Sequence, residues 1–172
     1  ARKRYGDRHD ENGGSLPMEG RVVCVTGAAG GIGSALSSVC HGLGATIVAM
    51  DRNTTGLDEL KQSLEDDDGA ASRILCLPTQ HEDFASVSQS ADEILRNFEH
   101  IDLLICNAGM TYREEAELGS KGMKSVHGYD LAFTVNYLSH FLLVEKLMPR
   151  LMSTKIPSVL RQMMKASRLD LT

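Results

Sequence analysis

The 172-residue chain predicts an α/β fold built on a parallel sheet. Three observations point there. Short apolar runs alternate with helical stretches from Arg21 onward, the rhythm of strand–helix–strand crossovers. The first run, Val22–Val25, passes through Thr26–Gly27 directly into a glycine-rich turn and a helix. The second run, Thr46–Met50, stops on a carboxylate, Asp51.

The elements follow in order. Residues 1–20 are polar, contain Gly13–Gly14 and Pro17, and read as a disordered or loosely attached arm. Val22–Val25 is a buried strand, and a helix runs from about Ile32 to Leu43 with Gly44 as its stop. After the second strand, Thr54 or Thr55 caps a helix through about Leu64, and Glu65–Asp68 with Gly69 forms an acidic, solvated turn. Arg73–Leu77 is the third strand, stopped by Pro78. Asp83 or a neighbour starts a helix to about Asn97. Asp102–Cys106 is the fourth strand, followed by a polar loop over 110–127. A last helix spans Tyr129 to about Met152, with a kink expected at Pro149. This divides the chain into the arm (1–20), one domain (21–152) and a tail (153–172).

Composition narrows the function. At 42% hydrophobic residues the chain can bury a core. A net charge of −5 argues against a broad nucleic-acid footprint. The basic cluster Arg2–Arg4 with Arg8 is diluted by Asp7, Asp10 and Glu11 and reads as a solvated tail. Cys24, Cys40, Cys76 and Cys106 form no C-x-x-C pair, so buried free thiols in a reducing compartment are expected, with no metal site. No run approaches the roughly 18 apolar residues of a membrane span, and no signal-peptide core is seen. A soluble cytoplasmic protein is the expectation.

Thr26-Gly27-Ala28-Ala29-Gly30-Gly31-Ile32-Gly33 sits between strand and helix. Glycine is needed there where φ is positive or where a Cβ would block a ligand. Backbone N–H groups and the helix dipole favour an anion at the helix start. Gly33 also lets the helix pack closely on the strand. Asp51 stands 24 residues after Gly27 and can accept hydrogen bonds from a ribose diol, or merely cap the next turn. A 2′-phosphate would be repelled by Asp51, although Arg52 could soften that, so NAD is favoured over NADP.

These residues resemble the short-chain dehydrogenase/reductase family. Leu103–Gly109, with Asn107-Ala108-Gly109, is similar to that family's N-A-G motif at the fourth strand. Gly128–Leu143 is similar to the helix that follows, in a form closest to the retinol-dehydrogenase-like branch, and Asp83–Val87 to the start of the helix after the third strand. The resemblance covers about residues 21–150. It implies a Rossmann-type NAD(P)-binding domain with strand order 3-2-1-4. It places Thr26, Gly27, Gly31, Ile32 and Gly33 along the pyrophosphate, with Asp51 and Arg52 at the ribose. Asn107, Ala108 and Gly109 border the adenine ribose side. Asn136 becomes the asparagine that holds a water in the proton relay, or a polar residue that only distorts its own helix. Gln80 stands where the family usually has an adenine-contacting Asp.

The resemblance stops near Ser158. Family chemistry, hydride transfer between nicotinamide and an alcohol or carbonyl, uses a serine and a Y-x-x-x-K pair, in which the lysine lowers the tyrosine pKa. Tyr5, Tyr112, Tyr129 and Tyr137 are followed four residues later by His9, Ala116, Phe133 and Phe141. The segment Val159–Arg168 shows helical spacing where a strand is expected. A chain truncated or altered after about residue 158 is the expectation, without strands 5–7 and with its fourth strand as a sheet edge. The functions left open are an NAD(P)-dependent oxidoreductase, an inactive nucleotide-binding fragment, and an interaction module pairing with a second copy or a homologue. The substrate is not legible.

Overall fold

A computed structural model describes residues 16–68, 73–111 and 123–153. Four strands, β1 (Val22–Thr26), β2 (Thr46–Asp51), β3 (Ile74–Pro78) and β4 (Leu103–Ile105), form one sheet in the order β3-β2-β1-β4. Every pairing is parallel, with Val23 opposite both Ile47 and Leu103. This is the partial doubly wound sheet that the sequence predicts.

Among the described residues, the helices that follow β1, β2 and β3 are α1 (Gly31–Gly42), α2 (Thr54–Asp68) and α3 (Phe84–Asn97). A final helical rod comprises α4 (Leu131–Phe133), a π-helical turn (Thr134–Leu138) and α5 (Ser139–Ser153). Side chains of a strand alternate between faces, so β1 feeds two cores. Val23 and Val25 join Ile47, Ala49 and Ile74 under Leu57, Leu60 and Leu64 of α2 and Cys40 of α1. Val22 and Cys24 join Val48, Met50 and Leu77 under Val87, Ala91 and Ile94 of α3 and Leu143 and Leu147 of α5. Full burial of each such aliphatic chain contributes about 1.5–3 kcal/mol. The central strand therefore holds both helix layers.

Local chemistry sets the boundaries. Gly44 adopts φ +104° just past α1, and its N–H donates to the His41 carbonyl. Asp83 caps α3 by accepting from the Ala85 N–H at 2.9 Å. Helix α2 continues through Glu65–Asp68, where an acidic turn is expected from sequence. Lys61 and Glu65 pair across one turn at 3.8 Å, and no glycine or proline intervenes before Gly69. Charge alone does not end a helix.

β4 is shorter than expected because side chains take over at both ends. The Asp102 carboxylate accepts from the Val22 N–H at 2.9 Å and pairs with Arg21, while Asn107 N–H donates to the Thr26 hydroxyl. At the sheet edge, Leu103 is 41% exposed. The last helix starts at Leu131 rather than Tyr129, capped by the Asp130 carboxylate. Its irregularity is the π turn; Pro149 lies inside α5.

The end of the arm is attached: Met18 N–H donates to the Leu43 carbonyl at 2.8 Å. Residues 1–15, the tail from 154 onward and most of the 110–127 loop lie outside the described residues. Among the described residues, no helix is long and apolar enough to cross a membrane.

Candidate functional site

The chain order jumps from β3 at one edge back across the sheet to β4 beside β1. A crevice opens at such a switch, outside the carboxyl ends of the strands. Here it is a groove of about 350 Å³. Every strand contributes residues at or just past its end: Gly27 and Gly30–Ile32 after β1, Asp51 and Arg52 at the end of β2, Thr79, His81 and Glu82 after β3, and Asn107–Met110 after β4. Val135 of the π turn adds to the lining.

The glycines of the first loop do different jobs. Gly27 has φ +65°, and a Cβ there would meet the Ala108 Cα at 2.9 Å. At Gly33 a Cβ would stand 2.1 Å from the Gly27 carbonyl oxygen, so α1 can approach β1 only with glycine at this position. A Cβ at Gly31 would meet nothing within 4 Å. Helix α1 starts at that open space with no side-chain cap and no acidic residue in its first turn. Its free N–H groups and positive dipole end face the groove.

Asp51 holds the loop. One carboxylate oxygen accepts from the Ala29 N–H at 3.0 Å and the other from the Asn53 N–H at 2.9 Å. Each oxygen keeps a lone pair for a further donor.

Of the residues singled out in the sequence, Gly27, Gly31, Ile32, Asp51, Arg52, Asn107, Ala108 and Gly109 line the groove. Thr26, Gly33 and Asn136 do not. Thr26 is buried, and its hydroxyl accepts from both Asn107 N–H and Ala108 N–H at 2.9 Å. It splices β1 to the segment after β4, and the Asn107 side chain reinforces that splice by donating to the Thr26 carbonyl. Gly33 is buried by packing against the loop behind it. Asn136 directs its carboxamide to the Met110 backbone, accepting from N–H and donating to C=O, both at 2.8 Å. Gln80 is exposed and outside the lining; its N–H donates to the Ser86 hydroxyl.

The sequence reading missed Thr79, His81, Glu82, Met110 and Val135 of the lining, and His140 behind it. His81 is only 5% exposed and stands 5.0 Å, ring centre to ring centre, from His140. Burial pushes the His81 imidazole down to about 4; the neighbouring His140 adds to the shift and Asp51 opposes it. Burial also lowers His140, against a raising hydrogen bond to the Asn136 carbonyl. Two histidines 59 positions apart in sequence give no spacing signal. Cys24 and Cys40 are buried as expected, and burial drives the Cys24 thiol up to about 12. Cys106 is exposed, contrary to expectation, because β4 is the sheet edge.

Comparison with known proteins adds the family. A model for short chain dehydrogenases matches residues 21–161. The chain belongs to the short-chain dehydrogenase family. The D-threitol dehydrogenase of Mycolicibacterium smegmatis is 33% identical over 135 residues, covering 78% of this chain and 49% of that protein. A glucose/ribitol dehydrogenase structure from Brucella melitensis aligns with TM-score 0.63 and 26% identity, over 80% of this chain and 54% of that one. An L-sorbose reductase from Gluconobacter frateurii, solved with NADPH and L-sorbose, shares the fold at TM-score 0.65 and 22% identity, over 80% of this chain and 50% of that one. The chain spans about half the length of the relatives it matches or less.

Membership corrects one expectation. The missing Y-x-x-x-K spacing suggested a chain stripped of its serine and tyrosine, and hence an inactive fragment. Tyr137 and Ser139 are both present within three residues of Asn136, on the helical rod that adds Val135 to the groove. Ser139 is buried and bonded to His81 at 2.9 Å, and Tyr137 stands exposed between Phe133 and Phe141. The family is one of oxidoreductases, and a scan for one spacing along the chain does not register residues gathered on one helical turn. The inactive-fragment reading falls.

Proposed function

We propose that this chain forms the dinucleotide-binding part of an NAD(P)-dependent oxidoreductase that interconverts an alcohol and a carbonyl compound. One observation carries the reading: the uncapped start of α1 opens onto ligand-sized empty space beside Gly30–Gly31, at the switch point of the sheet. An anion of pyrophosphate type fits that cradle, because N–H groups and dipole point into it and no side chain fills it. When bound, the nicotinamide supplies or accepts the hydride.

The chain's own residues bind and orient. Gly27, Gly31 and Ile32 hold the pyrophosphate, with Thr26 and Gly33 shaping the turn from behind. Asp51, fixed by two backbone N–H groups, accepts from the adenine ribose diol and disfavours a 2′-phosphate, with exposed Arg52 beside it. That supports NAD over NADP, although the L-sorbose reductase neighbour carries NADPH. Asn107, Ala108 and Gly109 border the ribose. Asn136, whose carboxamide fixes Met110, is the residue proposed to hold a water in the proton relay. The retinol-dehydrogenase-like character of Gly128–Leu143 belongs to this proposal. So does pairing with a second copy or a homologue, which the exposed, mutually stacked Phe133, Tyr137 and Phe141 support.

The test is calorimetric titration of the full chain with NAD and NADP. Binding of NAD tighter than NADP is expected, with Asp51→Ala narrowing the difference. No binding of either at millimolar concentration would refute the reading, and unchanged selectivity in Asp51→Ala would refute the role of that carboxylate.

A further inference from the structure

A proton inventory behind the groove fixes the state of His140. A hydroxyl has one donor and two acceptor sites. The Thr26 hydroxyl accepts from Ala108 N–H and from Asn107 N–H, which it shares with the Ile105 carbonyl at 3.0 Å, so both acceptor sites are taken. Its 2.9 Å contact with His140 Nε2 must then run from hydroxyl to nitrogen. The Ile105 carbonyl also lies near that hydroxyl, but at 3.4 Å it is the longer contact. Nε2 is therefore unprotonated. On the other side of the ring, Nδ1 faces the Asn136 carbonyl at 3.2 Å, and a carbonyl only accepts. Nδ1 therefore carries the proton, and the ring is neutral.

These bonds close a circuit. Asn107 and Ala108 hang on Thr26, Thr26 on His140, and His140 on the Asn136 backbone. The Asn136 carboxamide returns to Met110 through two bonds. Asn107–Met110 is the wall of the groove after β4. Both of its ends are thus tied to one imidazole that does not itself line the groove.

We propose that His140 is a positioning residue of the cofactor groove: its neutral Nδ1–H form locks the π turn to β1 and thereby holds the wall Asn107–Met110 in the binding geometry. The role assigned to the wall rests on the dinucleotide reading above. A protonated ring would aim an Nε2–H at a hydroxyl with no acceptor site left, so the lock opens on protonation. The groups facing the ring are Thr26 from β1, the Asn136 carbonyl on its own rod, and His81 from the segment after β3. His81 is in turn bonded to Ser139 and acted on by Asp51. The low imidazole affinity for protons agrees with this arrangement and with two rings that cannot both be charged at 5.0 Å.

Two measurements test the lock. Nitrogen-15 NMR of the full chain at pH 7.5 reads the His140 tautomer without any cofactor: Nδ1–H is expected, and Nε2–H or imidazolium would overturn the proposal. NAD titration at pH 7.5 and pH 5 then compares wild type with His140→Gln, whose amide supplies a donor and an acceptor that do not titrate. Wild type should bind about tenfold more weakly at pH 5, the scale of one buried hydrogen bond, while His140→Gln stays within about twofold. A fall in the Gln variant as large as in wild type would place the titration elsewhere, on His81 among others, and overturn the proposal. Wild type that binds no NAD at pH 7.5 would instead refute the dinucleotide reading, and the tautomer would then decide the lock by itself.

Discussion

The two sides of the groove are built on different terms. The β1–α1–β2 side is made mostly of neighbours: a fully buried strand, a turn in which Gly30 and Gly33 meet their own loop, and a carboxylate that caps the turn beside it. The β4–α5 side is made of distant pairs. A three-residue strand, a π turn and the wall Asn107–Met110 are joined by Thr26, His140 and Asn136 across 26 to 114 positions of chain. The comparison teaches that the first side is held by steric necessity and apolar burial, and the second by a few saturated polar contacts. The first should break all at once under a single methyl group. The second should loosen in steps and respond to pH.

The largest effect is expected at Gly33→Ala, which sharpens the steric half of the contrast. The added Cβ would sit 2.1 Å from a backbone oxygen, and a clash with backbone cannot relax cheaply. Loss of more than about 4 kcal/mol is expected, read as failure to give a cooperative melt. Thr26→Val comes next. It leaves the Ala108 N–H without its acceptor and the Asn107 N–H with the Ile105 carbonyl alone, at a cost of about 2 kcal/mol by denaturant melt. Thr26→Ser should restore most of that; a valine variant as stable as wild type would show that the splice contributes little.

Acid probes the polar half as a whole. The folded His81 binds its proton only near about 4 and His140 is lowered too, against about 6.5 in the unfolded chain. Between those values the unfolded chain binds more protons, so stability is full above pH 6.5 and falls as pH drops toward about 4. A loss on the order of 2–3 kcal/mol is expected over that window from melts at stepped pH. A stability curve flat down to pH 4 would refute the buried neutral histidines.

Gly31→Ala should change stability by less than about 1 kcal/mol, because its Cβ meets open space, yet weaken dinucleotide binding severalfold. Equal binding by this variant would show that the open space is not the pyrophosphate cradle. Phe141→Ser should have the smallest effect on the isolated chain, below about 0.5 kcal/mol, since the ring is 57% exposed. A change in sedimentation behaviour with that variant would show the aromatic row to be a contact surface.

The sequence alone determined the sheet, the loop and the carboxylate. Alternating apolar runs, the spacing of Gly27 and Gly33, and Asp51 closing β2 are local facts, and local sterics and side-chain periodicity turn them into structure with little freedom left. Its errors lay where local rules are weak: Glu65–Asp68 stayed helical, and β4 was shortened by contacts from Asp102 and Thr26. Only the tertiary structure decided that Thr26 works from behind the groove, that Asn136 spends its side chain on Met110, and that His81 and His140 meet at all. A hydrogen bond between residues 114 positions apart leaves no periodicity in the chain. It exists because β4 pairs beside β1 and the helical rod that follows β4 brings His140 to the end of β1.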